Sequence, residues 1–230
     1  MRALILPGMD GSGRLLREFV DALAPEVHAD VVSYPRADAL GYDGLVALVL
    51  ERLPRGETFA LIGESFSGPI AIRVAASRPA GLAALVLCAT FASSPQPWFR
   101  PLRPLLAMPF PMPPTAWMMP AMMGRWATPG WTHRERLALR ELPARVARQR
   151  LSEVLRVDAT ADLARIDCPI LYLQASHDRL VPPRCWHEIQ RIVPTSRRVR
   201  LEGPHFILQH QAGAAAAAIA DFLANVDIRA

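Results

Sequence analysis

A chain of 230 residues that is 51% hydrophobic and 20% charged is too apolar to be disordered and too short for two ordinary domains. All 26 basic residues are arginine, which excludes a Schiff-base lysine, a pyridoxal aldimine and a P-loop lysine together. The formal charge of +5 permits an acidic partner, but aromatics make up only 7% and the arginines are dispersed, so a nucleic-acid interface is not expected.

In chain order, short apolar runs alternate with helical patterns: strand 3–6, helix 15–23, strand 27–32, helix 45–53, strand 59–62, helix 67–77 and strand 82–87. Apolar strands separated by helices predict an α/β protein, a parallel sheet covered on both faces. The rhythm stops at residues 92–158 and resumes with strand 169–173, helix 184–192, strand 197–201 and an Ala-rich helix over 211–225. This predicts a core of residues 1–91 and 159–230 with a cap inserted at 92–158.

Within the insertion, residues 104–124 carry no charge, a transmembrane length, but six prolines rule out a spanning helix and stable membrane insertion. The segment predicts instead a Met-rich lid in which Met108, Phe110, Met112, Trp117, Met118, Met119, Met122 and Met123 line an apolar substrate pocket. Three cysteines without CxxC spacing fit a reducing compartment, and residues 1–6 run into Pro7-Gly8 with no signal-peptide pattern, so a cytoplasmic location is expected. No zinc-ligand spacing occurs, and neither a metal nor a cofactor is expected.

The residues able to do chemistry lie at strand ends. Strand 59–62 runs into Gly63-Glu64-Ser65-Phe66-Ser67-Gly68 and then a helix, the strand-turn-helix setting that exposes a serine hydroxyl on a strained turn. Ser67 stands where a glycine is usual, a departure that keeps a small side chain. A serine needs a base and an orienting acid. Asp178 follows the strand at 169–173, and His205 follows the strand at 197–201. His177 competes for the base role, but it shares a turn with the acid, which favours His205. The glycine-rich turn after the first strand offers the Met9 amide, and the nucleophile turn the Phe66 amide, as donors to an oxyanion.

With LILPGMDGSG, LIGESFSG, SHDRLVP and GPHF in this order, the chain resembles the α/β-hydrolase superfamily over nearly its whole length. Within it the chain is similar in size and in the RIDCPILYLQASHDRLVP stretch to the pimeloyl-acyl-carrier-protein methyl ester esterase type. The resemblance implies a mostly parallel sheet with a helical cap after the sixth of eight strands, the first two strands of the full fold being missing. It implies a serine hydrolase of carboxylic esters. A thioesterase or acyl-carrier-protein ester hydrolase is the alternative, and a non-catalytic ligand binder on the same fold is the reading from another class.

Residues 132–156 hold seven arginines against three glutamates. If helical, this segment presents Arg136/Arg140 and Arg145/Arg148 on common faces, with Glu141 pairing Arg145 on a solvated surface. The alternative is a landing surface for an acidic carrier protein.

Overall fold

The computed structural model describes residues 1–23, 27–108 and 122–226, apart from the side chains of residues 131, 132, 135, 136, 139 and 140. Six strands, β1 (Arg2–Leu6), β2 (His28–Val31), β3 (Phe59–Glu64), β4 (Leu82–Cys88), β5 (Ile170–Ala175) and β6 (Arg197–Leu201), form one sheet in the order β2-β1-β3-β4-β5-β6. Every neighbouring pair is parallel.

Side chains alternate between two buried faces, as a strand's period of two requires. Leu4, Leu61, Leu85, Leu87 and Tyr172 join one core, while Ile5, Ala60, Ile62, Val86 and Leu173 join the other. The helices α1 (Arg17–Leu23), α2 (Tyr42–Glu51) and α3 (Gly68–Ala76) divide between those cores, with α1 alone in the second. Because both faces are covered, the central strands read as continuous apolar runs. The two edges differ: β6 is RRVRL with three exposed positions, and Asp30 of β2 is held by Arg2 at 2.6 Å.

Between β4 and β5 the chain forms a 3₁₀ helix (Pro97–Ala107), α4 (Pro129–Arg140), α5 (Ala144–Arg156) and a short α6 (Thr160–Leu163). The first three of these fall within residues 92–158, between the fourth and fifth strands of this sheet, and α6 lies just beyond them. Three helices follow: α7 (Arg184–Ile192), α8 (Ile207–His210) and α9 (Ala212–Ala224). Helix α5 seats Val146, Arg150 and Glu153 inward, all at most 2% exposed. The expected Glu141–Arg145 pair does not form. Residues 141–143 break the helix, so the two are not one turn apart, and Glu141 instead takes Arg14 and Arg36 of the core. Arg145 donates to the Ala37 carbonyl.

The chain leaves β1 toward β2 and then returns to build outward on the other side of β1, which makes the β1/β3 boundary a topological switch point. At such a point the loops after neighbouring strands diverge and leave a crevice at their carboxyl ends. The loops that flank it here are residues 7–13, after β1, and the turn at Ser65, after β3.

Candidate active site

Ser65 has φ +49°, a left-handed conformation that a serine adopts only when its surroundings enforce it. Enforcement comes from close crossing of β3 and α3. A Cβ on Gly63 would stand 2.7 Å from that of Ala71, and one on Gly68 would stand 1.9 Å from Thr90 Oγ1. Thr90 Oγ1 donates to the Ser65 carbonyl, and Tyr42 donates to the Phe66 carbonyl at 3.0 Å. Ser67, the departure from the usual glycine, is buried and donates to the Pro7 carbonyl, so the Tyr34 hydroxyl donates to it at 2.6 Å. The tight approach thus falls on Gly68, one residue past the expected position. Gly68→Ala is expected to cost about 1–3 kcal/mol or more by overpacking. A double-mutant cycle with Thr90→Ala, read by denaturant unfolding, should recover part of that loss.

Ser65 Oγ lies 2.7 Å from His205 Nε2, and His205 Nδ1 lies 2.8 Å from Asp178 Oδ2. A carboxylate only accepts, so Nδ1 carries the proton and Nε2 offers its lone pair to the serine hydroxyl. Asp178 and His205 are buried, with side chains 4% and 6% exposed. The other carboxylate oxygen of Asp178 accepts the Leu180 and Val181 amides at 2.8 Å each, which fixes its plane. The backbone amide of His177 donates to the Gly203 carbonyl, joining the acid's loop to the histidine's. Its imidazole turns away to pack against Trp126, with ring centroids 4.8 Å apart and the rings tilted by 45°, in a cavity of about 310 Å³ with Arg125 and Arg179. The three strand ends thus bring Ser65, His205 and Asp178 into one hydrogen-bonded line, and His177 stays outside it.

The loop after β1 is held from several sides. The Gly8 amide donates to Glu64 Oε2 at 3.1 Å, and the Gly8 carbonyl accepts the Gly11 amide at 3.0 Å. The Met9 carbonyl accepts Arg150 Nη1 at 2.5 Å. Among the described residues the Met9 amide makes no hydrogen bond of its own. Of the predicted pocket residues, Met123 is buried, Met122 half-buried, and Met108 exposed at the end of the 3₁₀ helix. Phe110, Met112, Trp117, Met118 and Met119 lie outside the described residues. No thiol competes with Ser65: burial pushes Cys168 up to about 11 and Cys185 up to about 12, and Cys88 well above its usual value.

Two functional neighbours escaped the sequence reading. Arg150 reads in the sequence as one more arginine of a solvated face, yet its side chain is buried against the loop after β1; only its spacing from Val146 and Glu153 signals the inward face. Glu64 is buried behind Ser65, where desolvation pushes its carboxyl up to about 7, against the opposing pull of Gln209, His205 and the Gly8 amide. Gln209 donates to it at 2.6 Å, and the buried Gln209 Oε1 is without a partner among the described residues. Turning that amide over presents an acceptor to the neutral acid. Between pH 4.5 and about 7 the folded chain therefore binds a proton at Glu64 that the unfolded chain has released. Stability from this group is full below that window and lost as pH rises through it, about 3 kcal/mol in all. The difference in urea stability between the protein and Glu64→Gln should shift by that amount from pH 4.5 to pH 8, the wild type losing relative stability.

A parallel sheet crossed by helices, with a left-handed serine at its switch point and histidine and aspartate at the last two strand ends, defines the α/β-hydrolase class. The model of the alpha/beta hydrolase family matches residues 3–219, and the chain belongs to that family. The chain is 28% identical over 231 residues to the polyketide synthase ThaQ of Burkholderia thailandensis, covering 88% of this chain and 11% of that protein. It is 32% identical over 111 residues to the chloroplastic phytyl ester synthase 1 of Arabidopsis thaliana, covering 46% of this chain and 16% of that one. The chain thus matches only a small part of the length of these curated relatives. An esterase from Exiguobacterium antarcticum superposes with a TM-score of 0.81 at 13% identity, over 98% of this chain and 92% of that one.

Proposed function

We propose that this hydrolase cleaves carboxylic esters through an acyl-enzyme on Ser65. The observation that carries the reading is the line from Ser65 Oγ through His205 to Asp178, at 2.7 and 2.8 Å, on a left-handed turn. Ser65 attacks the acyl carbonyl while His205 takes its proton, and Asp178 holds the imidazole and offsets its charge. The Met9 and Phe66 amides receive the oxyanion, His205 returns the proton to the leaving alcohol, and water repeats the sequence on the acyl-enzyme.

The uncharged, Met-rich stretch at 104–124 supports a preference for apolar acyl or alcohol groups of small to medium size. Thioester cleavage is the second reading, since a thioester offers the same carbonyl to the same serine, and the similarity to a segment of a polyketide synthase favours including it. An acidic carrier on the Arg145/Arg148 face remains part of that reading. Salt dependence tests it better than charge reversal, because Arg145→Glu also cuts the bond to the Ala37 carbonyl.

The test is a panel of p-nitrophenyl esters and matched thioesters of increasing acyl length, followed through the first turnovers. A burst of alcohol or thiol stoichiometric with protein, then steady hydrolysis fastest on apolar chains, is the expected result. Binding without release on every member identifies a ligand binder and overturns the proposal. A selective loss of rate on carrier-linked substrates with rising salt supports the carrier surface, and equal salt effects on free and carrier-linked esters remove it.

A further inference from the structure

We propose that Arg150, carried by α5 of the insertion, is a positioning residue that fixes the Met9 amide in the oxyanion hole and makes the seating of the cap a condition of the chemical step. The inference rests on the serine-hydrolase reading above. Its ground is the way the guanidinium is housed. Arg150 is 1% exposed, and its head lies between the Tyr34 and Phe66 rings, with the guanidinium carbon 5.5 and 5.8 Å from their centroids.

Nη1 donates to the Met9 carbonyl at 2.5 Å, Nη2 reaches the Pro35 carbonyl at 3.5 Å, and Nε has no partner among the described residues. Glu153, on the same helix face, is taken by Arg156 and by the Tyr42 amide, so it does not neutralise Arg150. Burial lowers the guanidinium's pKa, with Tyr34 and Asp10 opposing that shift.

A buried cation bonded only to carbonyls is costly for stability, and a solvated arginine on α5 would avoid that cost. What the arrangement secures is the loop. The Gly8 amide is held by Glu64, the Gly8 carbonyl by the Gly11 amide, and the Met9 carbonyl by Arg150. With the peptide groups on both sides of Met9 fixed, the direction of its own N–H is fixed as well. Gly11 is part of the same fit: it has φ +67°, and a Cβ there would stand 2.5 Å from Arg150 Nη1. The positive charge also sits against Met9 and Phe66, the two residues whose amides the reading assigns to the oxyanion, where a preorganised dipole or charge acts on the developing negative charge. A strut that merely joined α5 to the core would need neither the charge nor this carbonyl.

Steady-state kinetics of the full chain test this with Arg150→Met and Arg150→Gln beside wild type and Ser65→Ala, on the ester the wild type cleaves best. Inhibition by an alkyl trifluoromethyl ketone is measured in parallel, because its adduct with a serine hydroxyl places an oxyanion in the hole. Arg150→Met is expected to lower kcat about 100-fold with KM changed less than about threefold, the scale set by losing or misplacing one donor. The ketone should weaken by the same factor as kcat/KM. A folded Arg150→Met with wild-type kcat, or a loss of kcat that the ketone does not follow, overturns the inference. Should Arg150→Met fail to fold, Arg150→Gln is judged by the same two readouts. An active wild type with indifferent Arg150 variants sinks this inference alone; a wild type inert toward every ester sinks the serine reading and this inference with it.

Discussion

Ser65→Ala is expected to lower kcat on the order of 10⁶-fold, the scale seen when the serine of another triad is removed. The substitution deletes only the Ser65 hydroxyl oxygen, and alanine meets the same left-handed strain at φ +49° that serine already bears, so the melting temperature should stay near that of the wild type. Ser65→Gly separates the two effects. It is equally inactive, and it relieves the backbone strain because glycine accepts positive φ freely, so it should unfold at a temperature equal to or higher than the wild type. Ester turnover by purified Ser65→Ala at near wild-type rate would remove the acyl-enzyme from the mechanism.

His205→Ala should lose kcat to a comparable degree, and the double variant with Ser65→Ala should be no worse than either single one, because the proposed base and nucleophile would act as a unit. Asp178→Asn retains the shape but presents a donor where His205 Nδ1–H needs an acceptor, and is expected to lose about 10⁴-fold, as in another serine triad. His177→Ala is the control. Its ring packs tilted against Trp126 and makes no contact in the line from Ser65 to Asp178, so its effect should stay within about tenfold. If His177→Ala were the damaging variant and His205→Ala mild, the assignment of the base would be reversed.

The succession of strands and helices and the three strand-end residues are legible because a parallel sheet buried on both faces leaves apolar runs in the sequence, and because chemistry collects where those runs stop. Strand β3 proved longer than its apolar run: Gly63 and Glu64, read as the start of a turn, complete it. Polar burial is where the reading failed. Glu64 and Arg150 look like any surface charge in a list of residues, since Arg150 is placed inside by the insertion closing onto Met9, 141 positions earlier, and Glu64 by Gly8, 56 positions earlier, and Gln209, 145 positions later. Glu141 failed for a simpler reason. The i,i+4 rule holds only inside a helix, and the chain turns at residues 141–143.

The edge strands bear on a stage that precedes catalysis. Parallel strands joined by long crossovers pair slowly, and until the helices settle, each open edge can accept a strand from another chain. On β6, Arg197 and Arg198 lay their guanidinium groups over Phe222 and Trp186, and Arg200 reaches the Ser176 carbonyl, so the outer rim is both charged and covered. On β2, the short strand HADV carries His28 and an Asp30 bridged to Arg2. Charge along short edges blocks edge-to-edge growth by repulsion and by the desolvation that pairing would require. In a chain without lysine, arginine performs this gatekeeping, and neutral replacements on β6 should show first as lower refolding yield at high protein concentration, with the activity of the molecules that do fold left intact.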